Sequence, residues 1–165
     1  MCYHTSCNNA NGGKTLMAEK KTVFLTGASG HMGWAGFKEL YKKKDKLNIV
    51  LLLRDSEKNR KKFANYLNDP SVKIVWGDLK KYDDVLKCVE GSDYVLHVGG
   101  MVSPSADYYP TKTIQTNTTA AKNIVDAVKA QPNKDDIKVV YIGTVAQTGD
   151  RNAPIHWART GDPIK

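Results

Sequence analysis

Residues 26–33 read Thr-Gly-Ala-Ser-Gly-His-Met-Gly, set between a short apolar run, TVFLT at 22–26, and an amphipathic stretch opening at His31. Glycines at every third position of a strand-to-helix junction leave few folds open to the chain. Gly27 allows a tight turn, Gly30 lets the backbone approach a ligand, and Gly33 lets the helix lie close on its strand. The helix then begins with unpaired N–H groups and a partial positive charge, which suit the phosphates of a dinucleotide.

The rest of the chain repeats the same alternation of strand and helix. NIVLLL (48–53), VKIVW (72–76), DYVLHV (93–98) and KVVYIG (138–143) are apolar runs of strand length, rich in β-branched and aromatic residues. Such runs suit strands buried on both faces, as in a parallel sheet. Helical patterns fill the gaps. In His31–Lys44, Phe37, Leu40 and Tyr41 share a face, with Gly33 and Gly36 keeping it thin. Lys58–Leu67 and Asp83–Val89 are shorter, the second closed by Gly91 at a C-cap. Thr113–Ala130 carries Ile114, Ala121, Ile124 and Val128 on one stripe. The expected class is α/β: a doubly wound parallel sheet, cut off after about five strands.

Charge and cysteines narrow the function classes. The net charge is +8, and ten Lys or Arg against four Asp or Glu fall between Lys38 and Lys62. Solvated helix faces account for most of those lysines, so no nucleic-acid or membrane partner is expected. No apolar run reaches the ~20 residues of a membrane span. Cys2, Cys7 and Cys88 have neither disulfide nor metal-site spacing, and Cys88 reads as a small core residue. No metal site is expected; a reducing cytoplasm is. Residues 1–20 read as a disordered extension, with Met17 as the natural start, and residues 21–165 as the domain. Gly12-Gly13-Lys14-Thr15 lacks the first glycine and preceding strand of a phosphate-binding loop.

TGASGHMG, with the segments after it, resembles the extended short-chain dehydrogenase/reductases, also called the epimerase/dehydratase family, over nearly all of residues 21–165. The resemblance implies a Rossmann fold and a set of site residues. Gly27, Ser29, Gly30, His31, Met32 and Gly33 would cradle a nicotinamide dinucleotide. Asp78 and Leu79, in GDL, would hold its adenine. His97, Val98, Gly99 and Gly100, in HVGGMVS, would lie along it. Asn117 would brace the site, and Thr144 takes the place of the catalytic serine or threonine.

The second apolar run ends in Arg54 rather than in an acid that would accept bonds from ribose hydroxyls. Arg54 can meet a 2′-phosphate, with Lys58, Arg60 and Lys61 close by, so NADP(H) is expected over NAD(H). The family's Tyr-x-x-x-Lys pair follows its serine or threonine. Here Tyr108-Tyr109-Pro110-Thr111-Lys112 comes too early, and Pro110 marks it as a loop. No tyrosine follows Thr144. The expectation is therefore the cofactor-binding part of an oxidoreductase or sugar-nucleotide epimerase/dehydratase, acting on a carbonyl or alcohol. By itself it would be inactive. The alternative is a non-catalytic redox-sensing module that works through a partner. In the strand order 3-2-1-4-5-6 the fifth run becomes an apolar edge, which invites a homo-oligomer or a complementing C-terminal polypeptide.

Overall fold

The structure, a computed structural model, describes residues 19–144. The N-terminal residues through 18 and those from 145 onward, with the expectations that fall on them, lie outside the described residues.

Five parallel strands form one sheet in the order β3-β2-β1-β4-β5. They are β1 (Lys21–Thr26), β2 (Leu47–Leu53), β3 (Val72–Trp76), β4 (Tyr94–His97) and β5 (Lys138–Tyr141). The order reverses between β1 and β4, whose registers pair Thr26 with Leu52 on one side and His97 on the other. Alternate side chains of the central strands enter two cores, as a sheet covered on both faces requires. Leu25, Ile49, Leu51 and Leu53 meet Phe37 of α1 (His31–Tyr41) and Phe63 of α2 (Glu57–Phe63). Phe24, Val50, Leu52 and Val95 meet Val85, Cys88 and Val89 of α3 (Tyr82–Val89) and Ile124 and Ala127 of α5 (Pro110–Lys129). Fully burying each of Phe24, Phe37 and Phe63 contributes about 1.5–3 kcal/mol.

The expected class and all five strands are present, while helix boundaries and faces differ in places. α2 starts at Glu57, where the Ser56 hydroxyl accepts from the Asn59 N–H at 3.2 Å, and it gives way to a 3-10 turn at Ala64–Tyr66. Gly36 has no packing duty, because a Cβ there would meet nothing within 4 Å. The stripe of α5 is rotated from the expected one. Ala120, Asn123, Ile124 and Ala127 are its buried residues, while Ile114 is 67% exposed. Asn123 is buried because its amide donates to the Leu79 carbonyl at 2.8 Å.

The Tyr108–Lys112 segment is not a loop. It joins a short α4 (Ser105–Tyr108) to α5, and Pro110 occupies the first turn of α5. Proline is tolerated there because that N–H has no helical partner in any case. Tyr108 and Lys112 thus belong to different helices, and Tyr108 is 78% exposed. Cys88 is fully buried, and burial pushes its thiol up to about 12. Such a thiol is not a nucleophile at neutral pH.

Candidate functional site

The carboxyl ends of β1 and β4 lie side by side at the reversal of strand order, the usual ligand crevice of an open α/β sheet. Thr26 ends β1 fully buried, and its hydroxyl joins the two strands. Oγ1 accepts from the Val98 N–H at 3.1 Å and the Gly99 N–H at 2.9 Å, and it lies 2.8 Å from His97 Nδ1. With both lone pairs used, the hydroxyl proton goes to Nδ1, which leaves His97 as the neutral Nε2–H tautomer.

Glycines let the backbones touch. Gly27 has φ +72°, and a Cβ on it would sit 2.7 Å from the Gly99 Cα. A Cβ on Gly33 would lie 2.1 Å from the Gly27 carbonyl oxygen, so α1 rests directly on the turn. The Gly30 N–H donates to the Gly27 carbonyl at 2.9 Å, which closes that turn. Gly30 is the N-cap of α1, with no side-chain cap and no acid in the first turn. The opening N–H groups and the positive end of the helix are thereby left uncompensated, and His31 and Met32 there are exposed. The residues fit a pyrophosphate: Gly27 and Gly33 let β1, the β4 end and α1 pack backbone to backbone, and the helix start beside them at Gly30 carries no side-chain cap.

The other expected residues line the same edge. Arg54 follows β2 with an exposed side chain, and its carbonyl accepts from the buried Asn59 amide at 2.7 Å. Asp55 is held bidentately by Arg60, at 2.6 and 2.8 Å, and this hydrogen bonding lowers its pKa. Arg60 in turn lies 4.8 Å from the Trp76 ring centroid. Lys61 pairs with Glu57 at 2.7 Å. Of the expected helpers, Arg60 and Lys61 are therefore engaged elsewhere. Lys62, which nothing in the sequence singles out, reaches the glycine turn instead. Its ammonium donates to the Ser29 carbonyl at 2.9 Å and stands 4.3 Å from the Trp34 ring centroid. Burial, then the charges of Lys58 and Lys38, lower its pKa.

Asp78 follows β3 and folds back, its carboxylate accepting from the Lys80 N–H at 2.9 Å, while Leu79 packs toward Gly99. Asn117 exchanges two bonds with Met101, accepting at 2.8 Å and donating at 3.0 Å, so it fastens the loop after β4 to α5. Gly100 lies against the same amide. Thr144 is exposed, three residues after β5 on the same edge of the sheet. The structure thus gathers all the expected residues along one edge. Sequence reasoning alone misses Thr26, Asn59, Lys62 and Asn123.

Burial lowers the pKa of His97, so the folded protein favours its neutral form. A base depressed in the fold contributes stability above its unfolded pKa of roughly 6.5, and that contribution is lost as pH falls below it. The unfolding free energy is expected to decline on acidification from pH 7 to 5 with a slope of up to about 1.4 kcal/mol per pH unit from this proton. His97→Gln should remove that slope in urea titrations run across the window. An unchanged slope would mean that His97 is not its source.

An open α/β sheet with a glycine cradle at its switch point defines a dinucleotide-binding domain. The chain belongs to the NAD-dependent epimerase/dehydratase family, whose model matches residues 23–164. Among its relatives is the UDP-glucose 4-epimerase of Rickettsia bellii (strain RML369-C), 33% identical over 128 residues, which are 75% of this chain and 36% of that protein. The UDP-glucose 4-epimerase of Rickettsia felis is 30% identical over the same coverage. The chain thus spans little more than a third of the curated relatives it matches. Among solved structures, the Bordetella bronchiseptica enzyme WbmH in complex with NAD+ superposes with a TM-score of 0.68 at 21% identity, covering 88% of this chain and 46% of that one. Pen from Bacillus thuringiensis gives 0.68 at 23% identity, covering 81% and 40%. No helix among the described residues is long and apolar enough to cross a membrane, and no cluster there could hold a metal ion.

Proposed function

We propose that this chain is the NADP(H)-binding portion of an oxidoreductase or sugar-nucleotide epimerase/dehydratase acting on a carbonyl or alcohol. The observation that carries the reading is the glycine cradle tied by Thr26 across β1 and β4, against an uncapped helix start. Gly27, Ser29, Gly30, His31, Met32 and Gly33 would hold the pyrophosphate. Asp78 and Leu79 would flank the adenine, and His97–Gly100 the length of the cofactor. Bound there, the nicotinamide supplies hydride transfer. Thr144 would orient the substrate oxygen, and Asn117 would keep the adjoining loop in place. The proton-transferring tyrosine and its lysine would come from polypeptide outside this chain, as would most of the substrate pocket. Among the described residues β5 is an edge strand, with Val139, Val140 and Tyr141 45–63% exposed, and it would offer that polypeptide or a second copy a strand to pair with.

The preference for NADP(H) rests on charge. Asp55, the acid nearest the end of β2, is already occupied by Arg60, and so is a poor acceptor for a ribose hydroxyl. Two cations from the β2 side remain, Arg54 with an exposed side chain just after β2 and Lys62 at the Ser29 carbonyl of the glycine turn. A charge-assisted bond to a phosphate contributes about 1.5–3 kcal/mol, or roughly ten- to a hundredfold in affinity. Isothermal titration of the chain at physiological salt is expected to give NADPH at least a tenfold advantage over NADH. Arg54→Gln should erode that advantage and leave NADH affinity unchanged, and Lys62→Met should weaken NADPH more than NADH. Equal affinities would overturn the cofactor preference, and binding of neither nucleotide would overturn the functional reading.

A further inference from the structure

The Thr26 hydroxyl is a fully used junction. Oγ1 accepts from the Val98 and Gly99 N–H groups, at 3.1 and 2.9 Å, and gives its own proton to His97 Nδ1 at 2.8 Å. A hydroxyl has one proton and two lone pairs, so the arrangement holds only while Nδ1 is unprotonated. With a proton on Nδ1, three N–H donors point at two lone pairs and the hydroxyl proton faces no acceptor. Either the Val98 or the Gly99 bond must then give way. Gly99 is the residue against which the glycine turn rests, since a Cβ on Gly27 would lie 2.7 Å from the Gly99 Cα. A loosened loop after β4 therefore reaches the turn directly.

The surroundings offer no counter-charge for a protonated ring. His97 is 4% exposed and pairs in register with Thr26 of β1 and Tyr141 of β5, whose ring centroid is 5.5 Å from its own. It lies two residues beyond Val95, and so on the face of the sheet that α3 and α5 cover. The titratable groups these helices bring into that core are the Cys88 thiol, which burial keeps protonated, and the Tyr82 phenol. Their charged groups are turned elsewhere. Asp83, Lys87, Lys112, Lys122 and Lys129 are exposed, Asp84 accepts from the Asp78 N–H, and Asp126 pairs with Lys122. Burial, with no neighbouring charge, is what lowers the His97 pKa.

We propose that His97 is a positioning residue for the nucleotide cradle, acting through Thr26, and that a proton on Nδ1 and a nucleotide at the glycine turn exclude one another. The inference rests on the nucleotide-binding reading above and adds its regulation: acidification releases the nucleotide, and bound nucleotide keeps the ring neutral. The folded-state pKa lies below the ordinary imidazole value of roughly 6.5. Affinity is therefore full above that value and is lost as pH falls through the folded pKa. Simple attraction has the opposite sign, because an imidazolium added near a pyrophosphate would tighten binding as pH falls. The direction of the pH effect thus separates positioning from charge.

The test uses NAD+, which has no phosphate monoester to titrate near a pH of about 6 as NADP+ does. The His97 ring is titrated by NMR in the full chain, and NAD+ affinity is measured by calorimetry on both sides of its midpoint. One pH unit below the midpoint, affinity should be about tenfold weaker than well above it, and at the midpoint about half a proton should leave per NAD+ bound. In the free chain the Val98 and Gly99 amide signals should move with the same midpoint. In His97→Asn an amide oxygen can accept from Thr26 at any pH, so NAD+ affinity, whatever its size, should be level across the window. Thr26→Ser keeps the hydroxyl and should keep the fall. If the asparagine variant does not fold, the parent's own profile and amide shifts decide. Affinity that rises on acidification, a fall that persists in His97→Asn, or a ring that stays neutral until the chain unfolds would each overturn the proposal. Binding at pH 7.5 that stays level through the midpoint would sink this inference alone, whereas no NAD+ binding at pH 7.5 would take the nucleotide-binding reading down with it.

Discussion

Thr26→Val is expected to lower the unfolding free energy by about 2–5 kcal/mol and to abolish measurable nucleotide binding. Valine has nearly the shape of threonine, so packing changes little and the hydroxyl alone is removed. Three groups then lose their partner together: the N–H of Val98, the N–H of Gly99 and Nδ1 of His97. Each buried polar group left unpaired costs about 1–3 kcal/mol. Val98 and Gly99 are only half-buried, and water can recover part of the loss, which sets the lower bound. For a chain of this size the melting temperature should drop by roughly 5–15 °C. Thr26→Ser keeps the hydroxyl and should retain most of both properties. Circular-dichroism melts and NADPH titrations of the two variants decide the matter. A valine variant that melts and binds like the parent would show that the hydroxyl does not join the strands.

Two glycines of one helix should respond to alanine with opposite signs. Intrinsic helix propensity favours alanine over glycine by about 0.8–1 kcal/mol at either position. At Gly36 nothing opposes that gain, because the added methyl meets open space. At Gly33 the methyl would lie 2.1 Å from the Gly27 carbonyl oxygen, 2.5 Å from its carbon and 2.8 Å from the Ala28 nitrogen. All three are backbone atoms and cannot swing aside as a side chain would. Forced overpacking costs about 1–3 kcal/mol and sometimes more, so the clash outweighs propensity. Gly36→Ala should raise the melting temperature by a few degrees, with nucleotide affinity unchanged. Gly33→Ala should lower stability by about 1–2 kcal/mol and, by lifting α1 off the turn, weaken nucleotide binding at least tenfold. A Gly33→Ala chain that keeps full affinity would show that α1 can shift without disturbing the cradle.

The sheet was legible in the sequence because its strands are buried on both faces, and so appear as continuous apolar runs bounded by turn residues. The glycine turn was legible because its spacing is a backbone requirement. Helix faces were less so. Ile114 looks like a core residue in the sequence and is exposed, while Asn123 looks like a surface residue and is buried. The difference is made by the Leu79 carbonyl, which lies 44 positions away in the chain. Pro110 misled for a related reason: the rule against proline holds in a helix interior and not in its first turn. Lys62 was hidden among neighbours of the same type. Only the fold assigns Arg60 to Asp55, Lys61 to Glu57 and Lys62 to Ser29. Thr26 gave no signal at all, since a threonine at a strand end is commonplace and its partners are 71–73 residues distant.

That distance also sets when the site can exist during synthesis. A growing chain that has emerged only as far as β3 has the glycine turn and its helix, yet no β4 to close against it. Until Val98 and Gly99 are paired, the Thr26 hydroxyl has only water to bind and the Gly27 turn has nothing at its back. At translation speeds of about 5–20 residues per second, the interval between turn and partner lasts several seconds. Through that interval the apolar β1 and β2 stand exposed without help from ligand. A nucleotide bound at that turn would act as a late fastener, one that rewards completed assembly and cannot guide its beginning.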